Sequence, residues 1–442
     1  MSSRLTESAM YRHAWTTPAL DNVLGEDARL RSWLHILTTL AICQAELGII
    51  PAEAAAGIRA HAKVEDLDLD FVAERTRTTS HSVLGLIEGL QRILPPEARE
   101  YIYYGITVQD LTDTWFGLAM RDVSAIVRAD LVRVRAACVR LAREFRDTPM
   151  AGRTHGQSGS PISFGLKAAT WADETSRNID RLDQGLPRWA AGQLAGSTGG
   201  LAFFAAQGPP LRASLCAALG LADPGISWTA TRDRIAEYGS TLSLISASLA
   251  RVGNEIYELQ RPEIAELGEP VNLAVVGSIT MPHKRNPEFS EHLDTLSRVA
   301  RAAAGGLADG VVSSHERDGR SWKAEWAFLP DVSLVTGKAA ALAAELLEGL
   351  VVDPVAMRRN LGADATWASE QVLVQLSLRM GKHSAQALLQ EIYAEGPDDL
   401  PARIAERSGV DVTTVLGWVS TPDISTAAAM TDAVIEREST HP

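Results

Sequence analysis

The chain has 442 residues, of which 46% are hydrophobic and 22% charged, so it is globular and long enough for two or three domains. Its formal net charge of −13 excludes broad binding to nucleic acid or anionic membranes, because both need a basic face. The three cysteines lie far apart, which indicates reduced packing residues in a cytoplasmic protein. We expect no signal peptide, no membrane span, no metal and no organic cofactor, since no motif for any of them is recognised.

Residues 1–109 are predicted to form a small helical domain. Apolar residues recur at helical spacing from Leu30 to Gly48, where the glycine ends the helix. A cluster of hydroxyl side chains around a histidine, residues 78–82, then precedes an apolar run over 83–93. On its residues alone, this cluster is typical of a helix N-cap.

Residues 110–352 are predicted to form a central bundle of long helices, followed by a smaller helical domain over residues 353–442. One helix is expected from Asp110 to about Arg146, and another spans about 36 Å at ~1.5 Å per residue. This second helix carries an unbroken heptad seam, which favours a bundle of several subunits. The seam residues are Ile235, Tyr238, Leu242, Ile245, Leu249, Val252, Ile256 and Leu259. The sequence therefore predicts an all-α protein of three helical domains.

Two glycine-rich stretches interrupt the predicted helices. Residues 151–161 predict an ordered loop before a helix that begins near Ile162. Residues 193–200 are either a helix terminus or part of a pocket wall, and the sequence does not distinguish these alternatives.

The stretch from Val276 to Pro287 reads V-G-S-I-T-M-P-H-K-R-N-P and is dense in residues that contact anions. Gly277 permits backbone angles closed to other residues, and the two prolines fix φ. A hydroxyl at Ser278, a cation at Lys284 and an amide at Asn286 lie between them. The last proline stands where a helix begins, and a helix N-terminus carries partial positive charge. These features indicate a loop that holds carboxylates.

This stretch resembles the signature loop of the fumarase/aspartase superfamily, G-S-S-x-M-P-x-K-x-N-P, with Ile279 in place of the second serine. The resemblance implies a homotetramer with a core of about twenty long helices. It implies elimination of fumarate, or a similar diacid, from a small anionic substituted succinate. Ser278 would be the base, and Lys284 and Asn286 would bind a substrate carboxylate.

Two N-terminal segments resemble those of adenylosuccinate lyases. Residues 78–82 resemble a T-x-H-D segment, which implies that His81 faces the substrate with Ser80 beside it. Residues 103–110 resemble H-x-G-x-T-S-x-D, in which Thr107 would bind a carboxylate. Tyr103 stands at the histidine position of that segment and Val108 at the serine position, so contacts with the substrate must differ there.

Two later segments complete the resemblance. The string G-R-T-H-G-Q at residues 152–157 implies that His155 is the general acid or orients it, with Thr154 and Gln157 beside the substrate. Glu291 stands at the position where the family has a glutamate that pairs with this histidine. The H-E-R-D start of residues 315–318 implies that Arg317 also binds the substrate. In this superfamily such segments come from different subunits and meet at shared sites.

Three functions remain open at this stage. The first is a lyase that cleaves a C–N bond, with an amine or an unusual nitrogen such as nitrite as the leaving group. Adenylosuccinate is disfavoured because Trp322 and Trp326 occupy positions that line its nucleotide pocket. The second is a 3-carboxy-cis,cis-muconate cycloisomerase, which the strings W-x-x-x-R-D-R at 228–234 and W-x-A-E-W at 322–326 favour. The third is a catalytically silent protein on the same scaffold, against which the retained Ser278 argues.

Overall fold

The computed structural model describes residues 4–271, 277–362, 365–396 and 398–440. Within them the chain is predominantly helical, which confirms the predicted all-α class. The helices are α1 (Pro18–Leu24), α2 (Glu26–Glu46), α3 (Ala52–His61), α4 (Leu69–Thr79), α5 (Leu84–Ile93), α6 (Pro96–Arg99), α7 (Val108–Glu144), α8 (Phe164–Trp189), α9 (Gly208–Leu219), α10 (Asp233–Leu259), α11 (Glu288–Asp309), α12 (Gly319–Glu348), α13 (Pro354–Asn360), α14 (Ser369–Met380), α15 (Lys382–Ala394), α16 (Leu400–Ser408), α17 (Val412–Trp418) and α18 (Ser425–Thr440). The short strands are β1 (Pro149–Thr154), β2 (Gln157–Ser163), β3 (Leu267–Gly268) and β4 (Val351–Val352).

The helix with the predicted heptad seam is α10. Each seam residue is no more than 5% exposed, so the whole apolar stripe lies in the core. Burial of an apolar side chain of this size contributes about 1.5–3 kcal/mol, which makes α10 a major source of stability. The long helix predicted from Asp110 is α7, which begins two residues earlier at Val108.

Contacts between Cα atoms divide the chain into two compact units. Unit 1 comprises Met1–Asp130, Ile179–Leu249 and Leu293–Ala341, and unit 2 comprises Leu131–Asn178, Ala250–His292 and Leu342–Pro442. These boundaries cut through the long helices, whereas the predicted domain boundaries lie near residues 109 and 352. The predicted division into three domains stays a prediction.

In unit 1, α2 packs against α3 and α9, and α4 packs against α5. In unit 2, α14 to α17 form a small bundle around their own apolar core. That core includes Val372, Leu376, Leu389, Ile392, Leu400, Ile404 and Val415. All three cysteines are buried and free, as expected for packing residues.

The stretch predicted as an ordered loop, residues 151–161, is instead a β-hairpin. Strands β1 and β2 pair antiparallel, with Thr154 opposite Gln157 at the tip. His155 and Gly156 connect them with φ of 53° and 75°. Two positive φ angles are what a two-residue type I′ turn requires, so the glycine that suggested a loop is the turn residue of a hairpin.

Among the described residues, one helix is long and apolar enough to cross a membrane by length and composition alone. It is α12, and 56% of its most apolar window is buried inside the protein. This burial is that of a helix packed within the fold.

Candidate active site

The loop over residues 277–287, hereafter the serine loop, precedes α11. Ser278 Oγ accepts a hydrogen bond from the backbone N–H of Met281 at 3.0 Å. Such a donor stabilises negative charge on the oxygen and so favours its deprotonated form. Lys284 is exposed, and among the described residues it has no carboxylate partner. The loop therefore presents a polarised alcohol and an uncompensated cation. Val276, which opens the predicted motif, lies outside the described residues.

The two ends of the serine loop are fastened together. The side-chain amide of Asn286 donates to the carbonyl oxygen of Gly277 at 2.7 Å and to Glu288 Oε1 at 3.3 Å. A Cβ atom on Gly277 would lie 2.5 Å from the carbonyl oxygen of Lys284. The predicted need for unusual backbone angles at Gly277 stays a prediction. A glycine is needed there because two backbone segments approach closely.

The N-terminus of α11 is occupied by a carboxylate of the chain itself. Glu269 accepts hydrogen bonds from the backbone N–H groups of Phe289 and Ser290 at 3.1 and 2.9 Å, and from Ser290 Oγ at 2.6 Å. The partial positive charge expected there is therefore already balanced. Glu269 lies outside every recognised motif, so its capping role was not predicted.

The predicted acid, His155, lies exposed at the tip of the β1–β2 hairpin, with Thr154 and Gln157 exposed beside it. Next to its tip the hairpin is anchored by Arg153, whose guanidinium donates to both carboxylate oxygens of Glu266 at 2.6 and 2.9 Å. Because Glu266 is fully buried, this ion pair fixes the direction in which the tip projects. Glu291 lies in the first turn of α11, and its predicted pairing with His155 stays a prediction.

The segment around His81 caps a helix through the imidazole ring. The backbone N–H of Leu84 donates to His81 Nδ1 at 3.0 Å, at the start of α5. Since Nδ1 accepts, the proton of the neutral ring lies on Nε2, which is then a donor. Ser80 is exposed in the left-handed conformation that ends α4. The predicted N-cap is therefore made by the histidine and not by a hydroxyl.

Three predicted substrate contacts belong to one cluster in unit 1. Arg317 Nη1 donates to Thr107 Oγ1 at 2.9 Å, which brings together two residues separated by 210 positions. Tyr103 has a φ of 61° and lies within the electrostatic reach of Asp110 and Arg317. Burial raises the pKa of Tyr103 above its usual value, and the charge of Asp110 adds to this effect. The raised pKa favours the neutral phenol, which can act as a hydrogen-bond donor.

Asp110 ties this cluster to the glycine-rich stretch over residues 193–200. Its carboxylate accepts backbone N–H groups from Thr107 at 2.9 Å, Ala195 at 2.8 Å and Gly196 at 3.1 Å. Burial nevertheless raises the pKa of Asp110 to about 7, against the opposing effect of these donors. A functional role for Asp110 was not predicted, although the T-x-x-D spacing of a capping box was a signal for its bond to Thr107.

The two strings that favour a cycloisomerase are joined by buried residues, although Trp326 at the end of the second string is exposed. Arg232 is 2% exposed and donates two hydrogen bonds to Asp113, at 2.8 and 3.0 Å, and two to Glu325, at 2.8 and 2.5 Å. Trp228 is also buried and donates to the carbonyl of Gly192 at 2.9 Å. Because Arg232 and Glu325 are direct partners, the two strings are not independent indications of a cycloisomerase. The residues that join them are part of the core.

The predicted site residues therefore fall into two groups. Unit 1 contains Ser80, His81, Tyr103, Thr107 and Arg317. Unit 2 contains Thr154, His155, Gln157, Ser278, Lys284, Asn286 and Glu291. Within the described ranges, no three histidine, cysteine, aspartate or glutamate side chains cluster as a metal site would need. The groups present are suited to binding carboxylates and moving protons.

An all-α fold with these segments defines a lyase that acts by elimination on succinate-type substrates, in the fumarase/aspartase superfamily. Residues 6–301 match the profile of a family described as Lyase, and the chain belongs to that family. A curated relative is the N-acetyl-S-(2-succino)cysteine lyase of Enterococcus italicus, 36% identical over 88% of this chain and 86% of that protein. The 3-carboxy-cis,cis-muconate cycloisomerase of Pseudomonas aeruginosa is 35% identical over 84% and 81%. The nitrosuccinate lyase of Streptomyces davaonensis is 35% identical over 86% and 82%.

Solved structures agree with this assignment. The 3-carboxy-cis,cis-muconate lactonizing enzyme of Pseudomonas putida superposes with a TM-score of 0.89 and 29% identity, over 98% of this chain and 99% of that one. A fumarate lyase of Mesorhizobium sp. superposes with a TM-score of 0.88 and 28% identity, over 99% of both chains. The resemblance predicted from the signature loop is confirmed at the level of family and fold.

Proposed function

We propose that the protein eliminates a nitrogen group from a 2-substituted succinate and releases fumarate. The observation that carries this proposal is the hydrogen bond from the Met281 N–H to Ser278 Oγ, on the same loop as Lys284, which has no carboxylate partner among the described residues. Similarity to a nitrosuccinate lyase supports a nitrogen leaving atom. The substrate is a small dicarboxylate, and no cofactor is required.

The difficult step is removal of a proton from the carbon next to a carboxylate. An alcohol is a poor base at its ordinary pKa, so Ser278 needs donors, a nearby cation and exclusion of water. The Met281 N–H and Lys284 supply the first two. Ile279 is 93% exposed on the same loop, and closure of the loop over substrate would bury it and expel water.

The remaining groups either stabilise negative charge or transfer protons. Arg317 donates a hydrogen bond to Thr107 and stabilises the negative charge that develops on the substrate carboxylate. Lys284 stabilises the same charge. His155, supported by Glu291, protonates the departing nitrogen. His81, whose Nε2 carries the proton, donates a hydrogen bond to the substrate.

Assembly into a homotetramer is part of this proposal. His155 and Ile279 are exposed in a single chain, where a water-excluding site cannot form around them. Segments of neighbouring subunits would complete each site. The tetramer would be cytoplasmic, and it would bind neither nucleic acid nor membranes. Gel filtration with light scattering measures the mass, and a monomer with full activity would contradict this part.

A sulfur leaving atom is the second candidate. It is favoured by the 36% identical relative that is named for a succinylated cysteine thioether. The same base and carboxylate contacts serve both reactions, because only the atom that departs differs. The cycloisomerase alternative is less favoured, since Trp228, Arg232 and Glu325 of the strings that suggested it are buried in the core.

One panel separates these functions. The protein is incubated with fumarate plus ammonia, methylamine, hydrazine, nitrite or N-acetylcysteine, and separately with 3-carboxymuconate. Loss of fumarate absorbance with a nitrogen nucleophile supports the proposal, and loss with N-acetylcysteine alone supports the second candidate. Lactone formation from 3-carboxymuconate, with no loss of fumarate in any mixture, would overturn both.

A further inference from the structure

Unit 1 contains a cavity of about 850 Å³ to which the proposed reaction assigns no role. Its walls come from α2, α4, α5, α7 and α12. Pockets that bind small molecules measure about 300–1,000 Å³, so this cavity can hold a group the size of a substituted aromatic ring.

Indole rings dominate the cavity wall. Trp33 packs edge-on against Trp115 with ring centroids 6.3 Å apart, and both rings line the cavity. Trp326 lines it as well and packs edge-on against Trp322 at 4.9 Å. Trp326 remains 38% exposed, which leaves part of a large aromatic surface uncovered. A flat aromatic group in the cavity would cover it by stacking or edge contact.

The charged groups of the wall are already paired. Arg29 pairs with Glu26, Asp27 pairs with Arg31, and Arg77 pairs with Glu74. Trp33 Nε1 and Arg29 Nε have no hydrogen-bond partner within the described part of the chain, but both atoms have almost no accessible surface and so offer no donor to the cavity. A wall without free charge favours an uncharged group over a phosphate.

A short chain of contacts joins the cavity to the carboxylate-binding cluster. Thr112 lines the cavity and accepts a hydrogen bond from Trp322 Nε1 at 3.2 Å. The guanidinium of Arg317 lies 5.6 Å from the centroid of the Trp322 ring, and it also donates to Thr107 at 2.9 Å. Ser82, which directly follows the histidine proposed to face the substrate, lines the cavity too.

We propose that this cavity binds the leaving group of the substituted succinate, and that this group is an uncharged aromatic. The inference rests on the proposed function. The succinate carboxylates lie at Thr107 and Arg317, and the aromatic group lies between Trp33 and Trp326. In the reaction the C–H proton passes to Ser278 and a C=C bond forms. The C–N electron pair leaves with nitrogen, which takes a proton.

The test compares two pairs of substrates that differ only in the leaving group. N-(4-methoxybenzyl)aspartate is assayed against N-methylaspartate, and the matched mercaptosuccinate thioethers are assayed in parallel, by the absorbance of fumarate. Ala73→Trp fills the mouth of the cavity, and Ala56→Trp on α3 is the matched control at an exposed helical alanine. We expect wild type and Ala56→Trp to favour the aromatic substrate at least tenfold in kcat/KM. Ala73→Trp should lose that preference and keep its rate on the methyl substrate.

The outcomes separate this inference from the proposed function. Turnover of the methyl substrates without an aromatic preference would overturn the cavity assignment and leave the elimination intact. If none of these substrates is turned over, the nucleophile panel decides the proposed function, and calorimetry with the neutral probe N-(4-methoxybenzyl)acetamide decides the cavity by itself. Binding to wild type and Ala56→Trp that is lost in Ala73→Trp supports the assignment, and absence of binding to wild type overturns it.

Discussion

Asn286 donates its side-chain amide to the carbonyl oxygen of Gly277 at 2.7 Å and thereby closes the base of the serine loop. This bond places the proposed base, Ser278, directly beside a fixed point of the backbone. It also means that an asparagine proposed to bind substrate has a second role in holding the loop. The geometry of the loop is therefore set before any substrate is present, which is the condition for electrostatic preorganisation.

Gly277→Ala tests whether the closed loop matters. A Cβ there would lie 2.5 Å from the carbonyl of Lys284, so the two segments must separate and Ser278 must move. We expect kcat to fall by roughly 10²-fold with little change in melting temperature. Gly417→Ala in α17 is the control, because a Cβ there meets no atom within 4 Å. Equal activity of the two variants would show that the close approach is dispensable.

Arg232→Met tests the buried ion cluster. It leaves the carboxylates of Asp113 and Glu325 buried without a neutralising cation, which costs about 3–5 kcal/mol. The exposed pair of Arg128 and Asp183 provides the comparison, since Arg128→Met should cost about 0–1 kcal/mol. Urea unfolding of both variants measures the difference, and similar unfolding midpoints would contradict the assignment of Arg232 to the core.

The buried carboxyl of Asp110 predicts a dependence of stability on pH. Its pKa rises from 3.8 in the unfolded chain to about 7 in the fold, so the folded state binds the proton more tightly. The resulting stabilisation is full below about pH 4 and is lost as the pH rises through about 7. The melting temperature of wild type should therefore fall more between about pH 5 and pH 8 than that of Asp110→Asn. Parallel melting curves across this range would refute the raised pKa.

Periodicity and motifs in the sequence predicted the parts of the structure that depend on local order. The seam of α10 was visible because an apolar residue recurs at every third or fourth position, and the structure buries all of it. The serine loop was visible because its residues are contiguous. In both cases the information lies within one stretch of chain.

The features that were missed depend on pairing between distant residues. Arg232 contacts partners 119 and 93 positions away, and no local pattern reveals such a pair. Glu269 caps α11 from 21 positions before Ser290, across the whole serine loop. The hairpin around His155 was mistaken for a loop because glycine, which disfavours strands, also makes the tightest hairpin turns.

The most direct test of the proposed mechanism is the rate of fumarate formation by Ser278→Ala, measured with the substrate identified by the nucleophile panel. The alanine removes the alcohol and leaves the Met281 N–H, Lys284 and the loop closure in place. We expect kcat to fall by roughly 10³-fold or more, with unchanged mass and melting temperature. A Ser278→Ala protein that forms fumarate at nearly the wild-type rate would contradict the assignment of this serine as the base.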